Sequence, residues 1–141
     1  MNNWLIWAVL SAVFAALTAI LAKVGVADIN ANLATAIRTS VILIFTWGIV
    51  VCFEGRTDWR ALNGRAWFFL VASGLATGLS WLCYFRALKL GDVAKVAPVD
   101  KLSVAIAIIL AVIFLKEKVN LQEAFGAGLI VVGVIIMVVR L

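Results

Sequence analysis

Five apolar runs, each about 20 residues long, limit what this chain can fold into. A helix rises about 1.5 Å per residue, so about 20 residues cross the roughly 30 Å hydrocarbon layer of a bilayer. Lipid cannot satisfy an open sheet edge, and the runs lack the alternation of barrel strands, so each run is predicted to be a helix. The predicted helices are residues 4–22, 33–53, 66–88, 93–115 and 121–139.

The composition agrees with a membrane protein. Of the 141 residues, 66% are hydrophobic and 13% are charged, and the mean hydropathy is +1.18. A soluble domain would carry about twice that share of charge. The sequence therefore predicts an all-α integral membrane protein, a single transmembrane domain over residues 1–141 that is multi-pass in the cell (inner) membrane and surrounded by the lipid bilayer.

The usual chemical motifs are missing from the sequence. It has no His, no Cys-x-x-Cys pair and no Gly-rich phosphate loop, so we expect no enzymatic activity, no bound metal and no cofactor. The net charge of +5 comes from basic residues scattered over loops and helix ends. Because they form no patch, a nucleic-acid partner is not expected.

The basic residues are nearly balanced between the two sides of the membrane. With five spans, five of them fall on the side of the amino terminus and six on the opposite side. The first set is Arg56, Arg60, Arg65, Lys116 and Lys118, and the second is Lys23, Arg38, Arg86, Lys89, Lys95 and Arg140. Two alternatives follow: a single, weakly biased orientation, or dual topology with copies paired antiparallel.

Small and polar residues recur at helical spacing on three of the predicted spans. The second span carries Thr35, Arg38, Thr39 and Thr46; the third carries Ser73, Thr77, Ser80, Trp81 and Tyr84 beside Gly74 and Gly78; the fourth carries Ala97, Asp100, Ser103, Ala107 and Ala111. Such stripes either pack helices closely or line a cavity. Trp81 and Tyr84 are too large for close packing and favour a cavity wall. For Gly126 and Gly133 on the fifth span we favour packing.

Residues 96–104, Val-Ala-Pro-Val-Asp-Lys-Leu-Ser-Val, place an acid, a base and a proline within the fourth span. Asp100 lies about 10 Å along the helix, and a carboxylate at that depth costs about 2.5 to 3.5 kcal/mol when it faces lipid. It should therefore face protein or water. Pro98 cannot donate to the carbonyl of Ala94, so it should kink the helix. The acid and the base, Asp100 and Lys101, either fix helix assembly through a salt bridge or meet a substrate.

Asp100 and Lys101 are predicted to have separate partners. Adjacent side chains on a helix point about 100° apart, so the two should not pair well with each other. Arg38 is the candidate partner of Asp100, and Lys23 is a weaker one. The connections carry helix-start signals as well: Asp92 as an N-cap, and a capping box from Asn120 to Glu123.

Several of these segments together are similar to a known family. They are Tyr84-Phe-Arg-Ala-Leu, the helix that contains Pro98, Phe114-Leu-Lys-Glu117 and Gly126-x-Gly-Leu-Ile-x-x-Gly-Val134. Together they resemble the EamA domain of the drug/metabolite transporter superfamily. Arg38 resembles the family's arginine in the matching helix, and Glu117 matches a Leu-x-Glu helix end that we interpret as structural.

The resemblance implies a function and an assembly. Most members carry two five-helix repeats of opposite orientation, so this chain resembles one half of a ten-helix inverted-repeat transporter and would act as a homodimer, with an antiparallel pair as one arrangement. It implies export or exchange of a small-molecule substrate by alternating access. The related small multidrug exporters have a proton-binding Glu in the first helix, which this chain lacks. Asp100 is then the candidate proton carrier.

The substrate-binding residues predicted on this basis are Arg38, Trp81, Tyr84, Asp100, Lys101 and Ser103. The arginine and lysine would offer positive charge, the aspartate would take an amine or a proton, and the two aromatic rings would line the wall. A zwitterion or a small organic acid suits this set. The alternatives are a lipid-carrier flippase subunit and a membrane assembly protein that transports nothing.

Overall fold

The structure, a computed structural model, describes residues 4–53 and 63–139 and is helical with short connections. Within these ranges it contains no strand. Arg56, Arg60 and Arg140, which entered the count of basic residues by side, lie outside the described residues. The helices are α1 (Trp4–Val26), α2 (Ala31–Phe53), α3 (Gly64–Leu90), α4 (Val93–Asp100), α5 (Leu102–Leu110) and α6 (Leu121–Val138), and a π-helical segment (Ala111–Leu115) continues α5.

Among the described residues, five helical segments are long and apolar enough to cross a membrane, with α4, α5 and the π-helical segment together forming the fourth. The predicted all-α membrane fold is therefore confirmed. The fourth segment has the predicted bounds, Val93–Leu115. The first ends at Val26 rather than at residue 22, and the third covers Gly64–Leu90 rather than 66–88. Hydropathy missed these ends because they carry the basic residues Lys23, Arg65 and Lys89.

The described chain separates into two compact units, residues 1–90 and 91–141. In the first unit α3 packs against both α1 and α2. Its buried core lies at one end of the three helices, where α1 and α3 finish and α2 starts. Val26 and Leu88 are completely buried there. The other buried residues of this unit are Ala19, Ala22, Ala34, Thr35 and Phe85.

Two lysines close the same end of the first unit. Lys23 Nζ donates to the carbonyl oxygen of Leu88 at 2.6 Å, and Lys89 Nζ donates to the carbonyl oxygen of Ile29 at 2.6 Å. Carbonyls in the last turn of a helix have no amide partner within that helix, and they attract cations. Since Lys23 and Leu88 lie in the last turns of α1 and α3, these two helices end next to each other, at the same end of the first unit.

The second unit is organised around α6, which packs against both α4 and α5. The predicted capping box is confirmed: Asn120 Oδ1 accepts from the Glu123 amide at 2.9 Å, and Glu123 Oε2 accepts from the Asn120 amide at 2.8 Å. Asp92 occupies the predicted N-cap of α4, but its side chain makes no capping hydrogen bond. The backbone carbonyl of Asp92 instead accepts from the amides of Lys95 and Val96.

The fourth span is not a continuous α-helix. Lys101 separates α4 from α5, and its amide donates to the carbonyl of Pro98, a tighter turn than that of an α-helix. The predicted kink at Pro98 itself stays a prediction. The span ends in the π-helical segment, after which Lys116 adopts a left-handed conformation with φ 55°. The amide of Glu117 then donates to the carbonyl of Ala111 at 3.3 Å.

The glycines of α3 and α6 face open space within the described chain. Apart from its chain neighbours and the nearby backbone of its own helix, a Cβ atom built on Gly74, Gly78, Gly126 or Gly133 would meet no described atom within 4 Å. The close helix packing expected at Gly126 and Gly133 is therefore wrong for the described residues of a single chain. Glycine in a membrane helix commonly permits a close approach by another helix, and the described residues of the chain do not make that approach at these positions.

Candidate functional site

Arg38 lies inside the second span, about 10 Å from the start of α2. Its guanidinium carbon stands 4.2 Å from the centre of the Trp81 ring and 5.5 Å from that of Phe85. A cation over an aromatic face is attracted by the ring quadrupole, which offsets part of the cost of placing the charge in a membrane. Two predicted site residues, Arg38 and Trp81, are thus brought into contact.

The stacking leaves the hydrogen-bonding edge of Arg38 available. A guanidinium is planar, with five N–H donors in its plane, and an aromatic ring occupies only one of its faces. Among the described residues, Arg38 makes no ion pair and donates no hydrogen bond. The side chain is half-buried, and it offers donors to an acceptor that enters from outside the chain.

A cavity of about 340 Å³ lies beside Arg38, between α1 and α2, and Phe85 contributes its aromatic lining. Residues that recur every three or four positions share a helix face, and the lining residues of α1 and α2 follow that spacing. Apart from Arg38 and the hydroxyl of Thr18, the side chains that line it are apolar or absent. The lining is Thr18, Leu21, Ala22, Gly25, Ile29, Ala34, Ile37, Arg38 and Phe85.

The hydroxyl groups near the cavity differ in their bonding. Thr35 Oγ1 donates to the carbonyl of Ala31 at 2.9 Å, and Thr39 Oγ1 donates to that of Thr35 at 2.8 Å. These hydroxyls are satisfied within α2, as is common for threonine in a membrane helix. Thr18, in contrast, has no hydrogen-bond partner among the described residues. It is the second polar group that the cavity can offer to a ligand.

Tyr84 stands close enough to Arg38 for an electrostatic interaction, and its ring meets that of Phe85 edge to face at 6.5 Å. It does not belong to the cavity lining. The aromatic residue that does is Phe85, which the sequence prediction did not name. The signal was available, because Phe85 follows Trp81 by one helical turn, and Thr18 shares its spacing with Ala22 and Gly25 on α1.

Asp100, Lys101 and Ser103 belong to the second unit. Lys101 Nζ lies 3.3 Å from Asp100 Oδ2, and their side chains are 55% and 39% exposed, respectively. The prediction that adjacent positions keep these two groups apart is therefore wrong. The 100° rule holds for a continuous helix, whereas here α4 ends at Asp100 and the long lysine side chain folds back from a turn. Ser103 is exposed on the first turn of α5.

The partners suggested from sequence for Asp100 stand in the first unit. There, Arg38 stacks on Trp81, and Lys23 donates to the carbonyl of Leu88. A bond between Asp100 and Arg38 stays a prediction. The binding roles of Asp100, Lys101 and Ser103 also stay predictions.

The second unit has an apolar groove of its own, of about 430 Å³. It lies between the α5 end of the fourth span and the start of α6, and every side chain that lines it is aliphatic. The lining is Ala105, Ile108, Ile109, Val112, Ile113, Val119, Ala124 and Ala127. Because the described residues that line it offer no polar side chain to orient a ligand, this groove suits a hydrocarbon chain or an apolar helix face.

Comparison with protein-family models matches residues 2–139 to the EamA-like transporter family. The chain belongs to this family. The resemblance inferred from the sequence is thereby confirmed over nearly the whole chain. With five spans, family membership makes this a multi-pass membrane protein, and it points to transport, an activity that is usually not enzymatic.

Three relatives extend the comparison. An uncharacterized transporter in the cobO 3′ region of Sinorhizobium sp. is 53% identical over 138 residues, which cover 98% of both chains. The uncharacterized transporter YxxF of Bacillus subtilis is 28% identical over 141 residues, 99% of this chain but 44% of that relative. An uncharacterized protein of Methanocaldococcus jannaschii is 26% identical over 106 residues, 75% of this chain and 70% of its own. No solved structure was found to match the chain.

Proposed function

We propose that this EamA protein is a secondary transporter that exports or exchanges small metabolites by alternating access, acting as a homodimer in the cell (inner) membrane. The transporter names of two relatives and the family itself support membrane transport. The mechanism, the direction and the homodimer are our proposals. In them Arg38 binds the substrate, and Asp100 takes an amine of the substrate or a coupling proton.

The observation that carries the proposal is the Arg38 cavity. A permanently charged side chain inside a membrane span is costly, and it usually marks a substrate or ion pathway. Arg38 is stabilised by the Trp81 ring yet makes no ion pair among the described residues, and it borders a cavity large enough for a small molecule. A purely structural arginine would be expected to meet a carboxylate or carbonyl oxygens.

Two observations support a homodimer. The Bacillus subtilis relative matches this chain over less than half of its length, so that transporter has room for a second segment of similar size. In addition, Gly74, Gly78, Gly126 and Gly133 are open to a neighbouring helix. A second copy would supply the helices that a longer relative can carry in one chain.

The direct test measures flux in proteoliposomes. A thermal-shift screen of small metabolites on the purified protein first identifies a ligand, and its efflux is then compared among variants. We expect Arg38→Ala to lower the rate by at least about a hundredfold, because a charge-assisted bidentate contact is lost. We expect Asp100→Asn to abolish coupled flux if its carboxylate carries the proton or the amine.

Arg65→Gln is the matched control. Arg65 also stands over an aromatic ring, 5.9 Å from the centre of Phe69, but at the start of α3 and away from the cavity lining. It should transport like the wild type. Unchanged flux in both Arg38→Ala and Asp100→Asn would contradict the proposed role of these residues.

Orientation and assembly are tested separately. Reporters that are active on one side of the membrane are fused to the carboxyl terminus, and the purified protein is cross-linked. Signals from both sides together with a cross-linked pair support an antiparallel dimer. A signal from one side alone contradicts dual topology, and obligate recovery with a larger partner protein favours the assembly role.

The apolar groove of the second unit favours a lipid-carrier flippase subunit as the second candidate. Its wholly aliphatic lining fits a hydrocarbon chain better than a polar metabolite. Ala105→Trp and Ala127→Trp would fill the groove. If they stop transbilayer movement of a fluorescent lipid while metabolite flux persists, the flippase is favoured; if lipid movement never exceeds that of protein-free vesicles, it is contradicted.

A further inference from the structure

The Arg38 cavity presents one positive charge, one hydroxyl and otherwise apolar surface. From this set we propose that it binds monocarboxylates with a compact apolar body, an inference that rests on the proposed transport function and names the substrate class of its site. The acid group would meet the edge of Arg38 and the hydroxyl of Thr18. The apolar body would lie against Leu21, Ile37 and Phe85.

The geometry of Arg38 selects a planar, two-oxygen acceptor. Trp81 lies against its guanidinium at 4.2 Å, which limits rotation of the group and leaves the in-plane N–H donors as its binding edge. A carboxylate can accept two parallel hydrogen bonds from that edge, whereas an amide or an alcohol offers one neutral acceptor. Charge and shape therefore favour the same group.

The lining also selects against a positive charge on the ligand. Among the described residues that line the cavity none is acidic, so an ammonium group would be desolvated beside Arg38 without a counter-ion from this lining. The nearest acid in the sequence is Asp28, next to the lining residue Ile29, and it is exposed in the connection between α1 and α2. Zwitterions should consequently bind more weakly than the corresponding acids.

The size and surface of the cavity limit the rest of the ligand. A volume of about 340 Å³ is at the small end of ligand pockets, which suits a compact body rather than a long acyl chain. Ala22, Gly25 and Ala34 contribute little side-chain volume to its walls, and no lining group beyond Arg38 and Thr18 would satisfy a second polar substituent. Dicarboxylates and sugars do not fit this surface.

The test uses four probes that share one apolar body: phenylpropanoate, phenylpropanamide, phenylpropylamine and phenylalanine. Their binding to the purified full chain in lipid nanodiscs is measured by calorimetry. We expect phenylpropanoate to bind, and the amide, the amine and the zwitterion to bind at least about tenfold more weakly, because each lacks the anion or adds an unmatched cation.

Four variants locate the site. Arg38→Gln should weaken the binding of phenylpropanoate by at least about tenfold. Arg38→Lys should weaken it less, since lysine keeps the charge but lacks the planar set of donors. Thr18→Val should weaken it by about threefold through the lost hydroxyl. Arg65→Gln should bind like the wild type. Because Arg38→Lys retains the intramembrane charge, it is the control for a loss of binding that results only from misfolding of Arg38→Gln.

Three results would overturn the inference: no binding of the acid, equal binding of phenylalanine or the amine, or an equal loss in Arg65→Gln. Binding is measured without a gradient, so its outcome is separate from that of transport. A chain that binds the acid but carries nothing contradicts the proposed function alone. A chain that carries amines through an Arg38-dependent route contradicts only the ligand class.

Discussion

The two units of this chain hold their charged residues in different ways. In the first unit, Lys23 and Leu88 are 65 positions apart and Lys89 and Ile29 are 60 apart, and both pairs join separate segments. In the second unit, the side-chain polar contacts that the structure shows join residues one or three positions apart. Among the described residues, similar apolar spans thus produce one unit whose lysines join separate segments and one whose charged side chains make local polar contacts.

From this difference we infer separate roles for the lysines of the first unit and for the acid and base of the second. The contacts of the first unit fix how its helices meet, and they leave Arg38 as the cation that borders its cavity. In the second unit, the contact between Asp100 and Lys101 is exposed and local, and such pairs contribute little to stability. We propose that its acid and base meet a substrate, a proton or a second copy, and substitutions should distinguish this functional role from a structural one.

The largest effect on stability is expected from Leu88→Ala. Leu88 is completely buried in the core of the first unit, and truncating a buried leucine commonly costs about 2 to 5 kcal/mol. Leu90→Ala, in the same helix, is the control, because Leu90 is 82% exposed. Equal unfolding midpoints for the two variants in a detergent titration would contradict the tertiary core assigned to this unit.

The next effect concerns the lysine contacts. Lys23→Met removes the donor to the Leu88 carbonyl, and we expect a loss of about 1.5 to 3 kcal/mol, the range for hydrogen bonds to charged groups. Lys118→Met removes the same charge in the second unit and should change the unfolding midpoint little. If both variants lose the same stability, overall charge rather than the contact is responsible.

A smaller effect is expected at the start of α6. Asn120→Ala removes the side-chain oxygen that accepts from the Glu123 amide and keeps the backbone amide that donates to Glu123, and the lost cap should cost about 1 kcal/mol. Asp92→Ala removes an N-cap residue whose side chain makes no capping bond, and a few tenths of a kcal/mol should be lost there. Circular dichroism compares the helicity and the thermal unfolding of the two variants. A larger loss of stability in Asp92→Ala than in Asn120→Ala would contradict the capping bonds of the structure.

The smallest change in stability is expected for Asp100→Asn. Because the pair with Lys101 is exposed, we expect a loss below about 1 kcal/mol, while substrate flux falls sharply. Ser103→Ala, on the next turn, is the control that shows how much stability and flux a small polar substitution in the same span changes. A destabilisation of Asp100→Asn as large as that of Leu88→Ala would show that Asp100 is a structural residue, and the comparison of the two units would fail.

The spans could be predicted from sequence because membrane thickness imposes a length that hydropathy reports directly. Arg38 and Trp81 could be singled out because each is unusual within an apolar run. Helical spacing could place Phe85 on the face of Trp81 and Thr18 on the face of Ala22, but no local pattern encodes how these helices pack to join the two residues in one cavity. The pairing of Asp100 with Lys101 was missed because a continuous helix was assumed, and the π-helical segment leaves no clear sequence signal.

The contact between Lys23 and Leu88 also bears on how the protein is made. Because the chain is synthesised from its amino terminus, α1 and α2 are complete well before Leu88 is added. That carbonyl becomes available to Lys23 only when the last turn of α3 has been synthesised. The packing of the first unit is therefore complete only after α3 has been synthesised. A nascent chain halted before residue 88 should be far more sensitive to proteases than one halted after residue 90.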